Sequence, residues 1–159
     1  MPMPDADAVT LDHATGRLIF EIFRLNGRLL QAGDELVAPL GLTSARWQVL
    51  WAMAISPVPL PVAHLARSMG LNRQGVQRLV NEMAAEGVVA LEDNPNHKRA
   101  RLVVFTPHGR QLYDAAEERR RPWLRSLSGG GSVRAIDDAI AVLRGLRERL
   151  GEASDPDRG

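Results

Sequence analysis

The sequence predicts a mainly α fold with a small two-stranded β wing, in which a winged helix-turn-helix lobe lies between N- and C-terminal dimerisation helices. Three observations predict it. Two short helical patterns meet at Gly70 to Asn72, helical periodicity gives way to extended runs after Gly87, and both ends of the chain carry more apolar surface than one small core needs.

The first helix is expected from about Val9 to Leu36, because Leu18, Ile22, Leu25 and Leu29 share one face with no proline between them. Ile19, Phe23 and Leu30 lie beside that face, so a second contact surface is expected as well. Pro39 and Gly41 interrupt the pattern. It restarts in "LTSARWQVLWAMA", with Thr43 or Ser44 as N-cap and Trp47, Leu50, Trp51 and Ala54 at helical spacing, which predicts a core helix. "SPVPLP" is a stiff linker whose last residue, Pro61, suits the first position of a helix.

That helix, "VAHLARSM", ends at Gly70, a residue able to take the left-handed conformation; Leu71 is expected to be buried in the turn and Asn72 to cap "RQGVQRLVNEMAAEG". Val76, Leu79, Val80 and Met83 form the inward stripe of this second helix. Arg73, Gln74, Gln77, Arg78 and Asn81 remain on its other faces, and these are the side-chain types that reach base edges and phosphates in a major groove. Gly75 costs about 1 kcal/mol against Ala inside a helix, a cost that either close packing on the preceding helix or close approach to DNA would explain.

"VVALE" and "RLVVFT", separated by the turn-forming "DNPNHK", predict the hairpin that completes a winged helix. His97, Lys98, Arg99 and Arg101 fall at its tip and far flank, where an exposed arginine can enter a narrow minor groove. Thr106 as N-cap and Pro107 at the first position open the next helix, which Pro122 is expected to kink or end early. "SGGGS" is a flexible joint. Val133, Ile136, Ile140, Leu143, Leu146 and Leu150 then make one apolar stripe on a last helix. The expected organisation is residues 1–40 for dimerisation, 41–109 as DNA-binding lobe, 110–152 as C-terminal dimerisation helices and 153–159 as a disordered tail.

Composition narrows the function. Between Gly41 and Gly109 seven basic residues face four acidic ones, a balance of +3 in a chain whose total is +1, so the positive charge lies mid-chain where an anionic partner would be met. The absence of cysteine excludes disulfides, Cys-ligated zinc and thiol chemistry. His13, His64, His97 and His108 stand more than ten residues apart with no HExxH spacing, and neither a Gly-rich phosphate loop nor G-x-S-x-G occurs. No enzyme, metal or cofactor is therefore expected. No apolar run of spanning length appears and "MPMPDADAVT" lacks signal-peptide features, so a cytoplasmic location away from membranes is expected. A winged helix can also serve protein contacts or RNA, but the coincidence of polar readers with wing cations favours duplex DNA.

"LTSARWQVLWAMA" and "VAHLARSMGLNRQGVQRLVNEMAAEGVVALEDNPNHKRARLVVFTPHG" resemble the MarR (multiple antibiotic resistance regulator) family of bacterial transcription factors, and the resemblance runs from about Leu11 to Leu150. It implies a homodimer on a pseudo-palindromic operator, acting as a repressor, with Arg73, Gln74, Gln77 and Arg78 in the major groove and Arg99 in the minor groove. It also implies a small aromatic or amphipathic effector in a cleft with His13, Phe20, Arg24, Trp47 and Trp51 as candidate lining residues. His97 stands where the family pattern has an Asp, Phe105 where Leu is usual, and Gln74, Gly75 and Gln77 where small hydroxyl residues are common.

Overall fold

The fold is given by a computed structural model that describes residues 6–153, so the tail expected at the C-terminus lies outside the described residues from 154 onward. The chain divides into two compact units, one ending at Arg120 and the other beginning at Arg121.

In the first unit α1 (Ala6–Val37) is a single helix of 32 residues. Its C-terminal turns enter the core: Val37 is buried, and a Cβ on Gly33 would come within 2.6 Å of the Ser44 hydroxyl, so glycine allows the close approach of α1 to the next helix. A short 3-10 turn at Ala38–Leu40 closes on Gly41 in the left-handed conformation, φ 70°. Thr43 then caps α2 (Ser44–Ile55), its hydroxyl accepting from the Arg46 N–H. Earlier in α1, Ile19, Phe23 and Leu30, the residues expected to form a second surface, are exposed on the single chain, and so are Leu25 and Leu29 of the first face.

Leu60–Pro61 form a short strand, β1, ahead of α3 (Val62–Met69) and α4 (Arg73–Ala85); β2 (Val89–Glu92) and β3 (Leu102–Phe105) are the wing. The sheet is antiparallel in the order β1-β3-β2, with Leu60 opposite Val103 and Glu92 opposite Leu102. The expected two-stranded wing thus gains a third strand. Pro61 belongs to that strand and precedes α3 as its N-cap residue instead of occupying the first helical position. A proline is tolerated at a sheet edge, where no ladder N–H is required of it, and two residues are too few for any periodicity to reveal.

Leu50, Leu65, Val76, Val80, Met83, Val89 and Val103 are fully buried where α2, α3 and α4 pack together against the sheet. Leu71, expected inside, is 47% exposed: the bond from its N–H to the Ala66 carbonyl closes the helix end without burying its side chain. α5 (Pro107–Leu127) starts hard against the wing. The Thr106 hydroxyl accepts from the Gly109 N–H (3.0 Å) and lies 2.6 and 2.9 Å from the Gly87 and Val88 carbonyls. A Cβ on Gly109 would fall 1.9 Å from the Val88 oxygen, so only glycine fits. α5 continues through Pro122 instead of ending early, because a proline deletes one helical bond while the residues beyond it continue the ladder.

The second unit holds the end of α5, a turn in which the Gly131 N–H reaches the Ser128 carbonyl, and α6 (Val133–Ala153), capped by Ser132. Val133, Ile136, Ile140, Leu143 and Leu150 of the apolar stripe are exposed on the single chain. Among the described residues no helix is long and apolar enough to cross a membrane.

Candidate nucleic-acid interface

The turn between α3 and α4 is set by three local choices. Gly70 at φ 66° ends α3, and Asn72 adopts extended backbone so that its side chain accepts from the Gly75 N–H at 2.7 Å. Burial of Val76, Val80 and Met83 then fixes the rotation of α4. That rotation leaves Arg73, Gln74, Arg78 and Asn81 exposed and Gln77 half-buried, with the Gln77 amide donating to Asn81 Oδ1 at 3.0 Å. Gly75 has no α3 atom near it. The closest atoms to an added Cβ belong to the Asn72 cap, 3.2 Å away, so packing on the preceding helix does not explain the glycine.

Wing and helix converge on one cleft of about 140 Å³, lined by Arg73 and Gln77 of α4 and by Leu91, Arg99 and Arg101 of the wing. Arg73, Arg78, Lys98 and Arg99 make no ion pair with any described residue. Arg101 differs: its guanidinium donates to the Leu91 carbonyl across the wing, an anchored position that a groove contact would have to share. Arg46 is also committed, to Glu86 and Glu82, and the hydrogen bonds it donates to Glu86 hold its guanidinium above the ordinary arginine value and the Glu86 carboxyl below the ordinary carboxylate value. The unneutralised cations of the lobe therefore include those of α4 and the wing tip.

The five residues expected at an effector cleft do not form one within the chain. Trp47 is 4% exposed and stacks on Trp51 at 5.8 Å, with Arg120 4.6 Å from the Trp51 ring, so Trp47 is a core residue. Exposed His13, Phe20 and Arg24 lie on α1, where Arg24 pairs with Glu21 and sits 5.9 Å from the Phe20 ring. At 1.5 Å per residue, His13 is about 30 Å and Arg24 about 14 Å along the helix from the Gly33 contact with Trp47. No group of three or more metal-ligating side chains occurs among the described residues.

Two features escaped the sequence reading. The Arg46–Glu86 pair joins residues forty apart, for which no local pattern exists. Asn94 bonds to both Asn96 and Ala100 within the wing loop, and its one sequence signal was the Asn-Pro dipeptide, which marks a turn.

A family profile described as the MarR family matches residues 40–100. A protein of Mycobacterium tuberculosis is 40% identical over 103 residues, 65% of this chain and 71% of that one. The transcriptional activatory protein BadR of Rhodopseudomonas palustris is 27% identical over 142 residues, 87% of this chain and 81% of its own. The crystal structure of CouR from Rhodococcus jostii bound to p-coumaroyl-CoA superposes with a TM-score of 0.73 at 24% identity, covering 82% of this chain and 91% of that one.

Proposed function

The chain belongs to the MarR family of transcriptional regulators, and from that premise we propose that it binds a pseudo-palindromic DNA operator as a homodimer and represses transcription by occupying it. The observation that carries this reading is the cleft where Arg73 and Gln77 meet Arg99, bordered by cations that no carboxylate among the described residues neutralises. α4 supplies a helix of the right width for a major groove, and the wing tip supplies cations for the minor groove beside it. The exposed apolar faces of α1 and α6 supply the surface for a second copy. Two copies would set their α4 helices one DNA turn apart, about 34 Å.

Repression by occupancy needs no surface beyond the DNA interface itself, whereas activation needs a further contact with polymerase. BadR is named as an activator, so the sign is measured directly, with a reporter under the protein's own upstream region. A small aromatic or amphipathic effector that releases DNA is part of the proposal, supported by the p-coumaroyl-CoA held by CouR; exposed Phe20 beside Arg24 offers an apolar face next to a cation for it. No catalytic role is proposed for a regulator, and its place is the cytoplasm, where its DNA is.

The test is selection of duplexes from a randomised pool by the purified protein. An enriched sequence with two inverted half-sites about one turn apart is the expected result. Enrichment of nothing, with only salt-labile binding to all duplexes, would move the function toward protein or RNA contacts.

A further inference from the structure

We infer that Asn94 is a positioning residue for DNA binding: it holds the turn that presents Lys98 and Arg99. This rests on the DNA-binding reading above and adds to it the residue on which the wing tip depends.

The loop between β2 and β3 is built from two successive tight turns. In the first, the His97 N–H returns to the Asn94 carbonyl at 3.2 Å, with Pro95 and Asn96 in its centre; in the second, the Ala100 N–H returns to the His97 carbonyl at 3.1 Å, with Lys98 and Arg99 in its centre. No non-glycine residue among those described has positive φ, so both turns are built without left-handed backbone. Asn is favoured at the first position of such a turn and Pro at the second.

The side chain of Asn94 spans both turns. Its Oδ1 accepts from the Asn96 N–H at 3.0 Å, and its Nδ2 donates to the Ala100 carbonyl at 2.9 Å. The backbone carbonyl of Asn94 holds His97, the first residue of the second turn, and its amide holds Ala100, the last. Both ends of the Lys98–Arg99 turn are thus fixed to one half-buried residue at the wing base, while the two cations remain exposed. An acceptor and a donor are needed at once, and at this reach only a side-chain amide supplies both; a carboxylate would turn an unpaired acceptor toward the Ala100 carbonyl. His97, although it stands at the tip, makes only backbone bonds in these turns.

The test is a double-mutant cycle on the selected duplex, comparing Asn94→Ala, the Lys98→Ala/Arg99→Ala variant and all three changes together, with a thermal melt of each protein. Losing the amide is expected to weaken binding about five-fold, as for one net hydrogen bond, with Tm lowered by no more than about 2 °C. In the background without Lys98 and Arg99, the same change should alter affinity less than about two-fold, because the residues it positions are gone. Wild-type affinity in Asn94→Ala, an undiminished loss in the background without the cations, or a Tm several degrees lower would each overturn the assignment. Wild-type affinity in Lys98→Ala/Arg99→Ala would remove the wing from the DNA interface, and this proposal with it.

Discussion

Arg46 and Glu86 meet in a two-pronged ion pair, Nη1 to Oε2 at 2.6 Å and Nη2 to Oε1 at 2.8 Å, and so tie the first turn of α2 to the residue that ends α4. The rotation that α4 presents to a ligand is therefore fixed from its exposed side as well as by its buried stripe. The hydrogen bond from Arg46 holds the Glu86 carboxyl below its ordinary value of 4.5. A depressed carboxyl contributes stability above its unfolded-state value and loses it as pH falls through the folded one. Wild type and Glu86→Gln should differ most in Tm at neutral pH, the gap closing as pH falls below the ordinary carboxylate value of 4.5. Calorimetry across that range checks it, and a gap independent of pH would show that the pair adds nothing.

Gly109→Ala should be among the most damaging single changes in the lobe. Its Cβ would lie 1.9 Å from the Val88 carbonyl oxygen, a backbone atom that cannot rotate away. Separating α5 from the wing also breaks the Thr106 bonds to both. A loss of about 3 kcal/mol or more is expected in urea unfolding.

Arg99 and Arg101 should separate in their effects although both are exposed wing arginines. Arg99→Ala should weaken operator binding by about 1 to 3 kcal/mol with Tm unchanged. Arg101→Ala should lower Tm as well, because its guanidinium holds the Leu91 carbonyl on the opposite strand. Paired titrations and melts of the two variants make the comparison.

Operator affinity should fall steeply with salt. On the order of six to eight phosphates neutralised by a dimer give a slope of log K against log salt of roughly −5 to −7. A flat profile would count against duplex binding.

Leu143→Glu should abolish dimerisation while leaving helix content intact. Leu143 is exposed on the single chain, so the charge meets no packing there, whereas an apolar interface would have to bury it. Sedimentation velocity together with circular dichroism distinguishes the two effects, and an intact dimer would exclude this face of α6 from the interface.

Much of the fold was legible because its punctuation is local. Thr43, Asn72 and Thr106 cap helices through bonds to N–H groups three residues on, and Gly70 and Gly41 stop helices by adopting a φ that other residues avoid. The stripe Val76, Val80, Met83 is equally local, since one helical turn repeats in the sequence itself, and it was enough to leave Arg73, Gln74 and Arg78 on outward faces. What the sequence determined by itself was therefore the order of elements, their caps and the side of α4 left free.

Tertiary structure decided everything that depends on a partner distant in the chain. It placed Arg46 on Glu86, drew Arg101 back onto Leu91, turned Pro61 into part of a third strand, left Leu71 in solvent and sealed Trp47 against Gly33. It also brought Arg73 and Gln77 to one cleft with Arg99. A cap or a stripe is written within four residues, the reach of a helical turn. The partner of a long side chain, and the choice between core and surface for an apolar one, are set by which distant element arrives beside it.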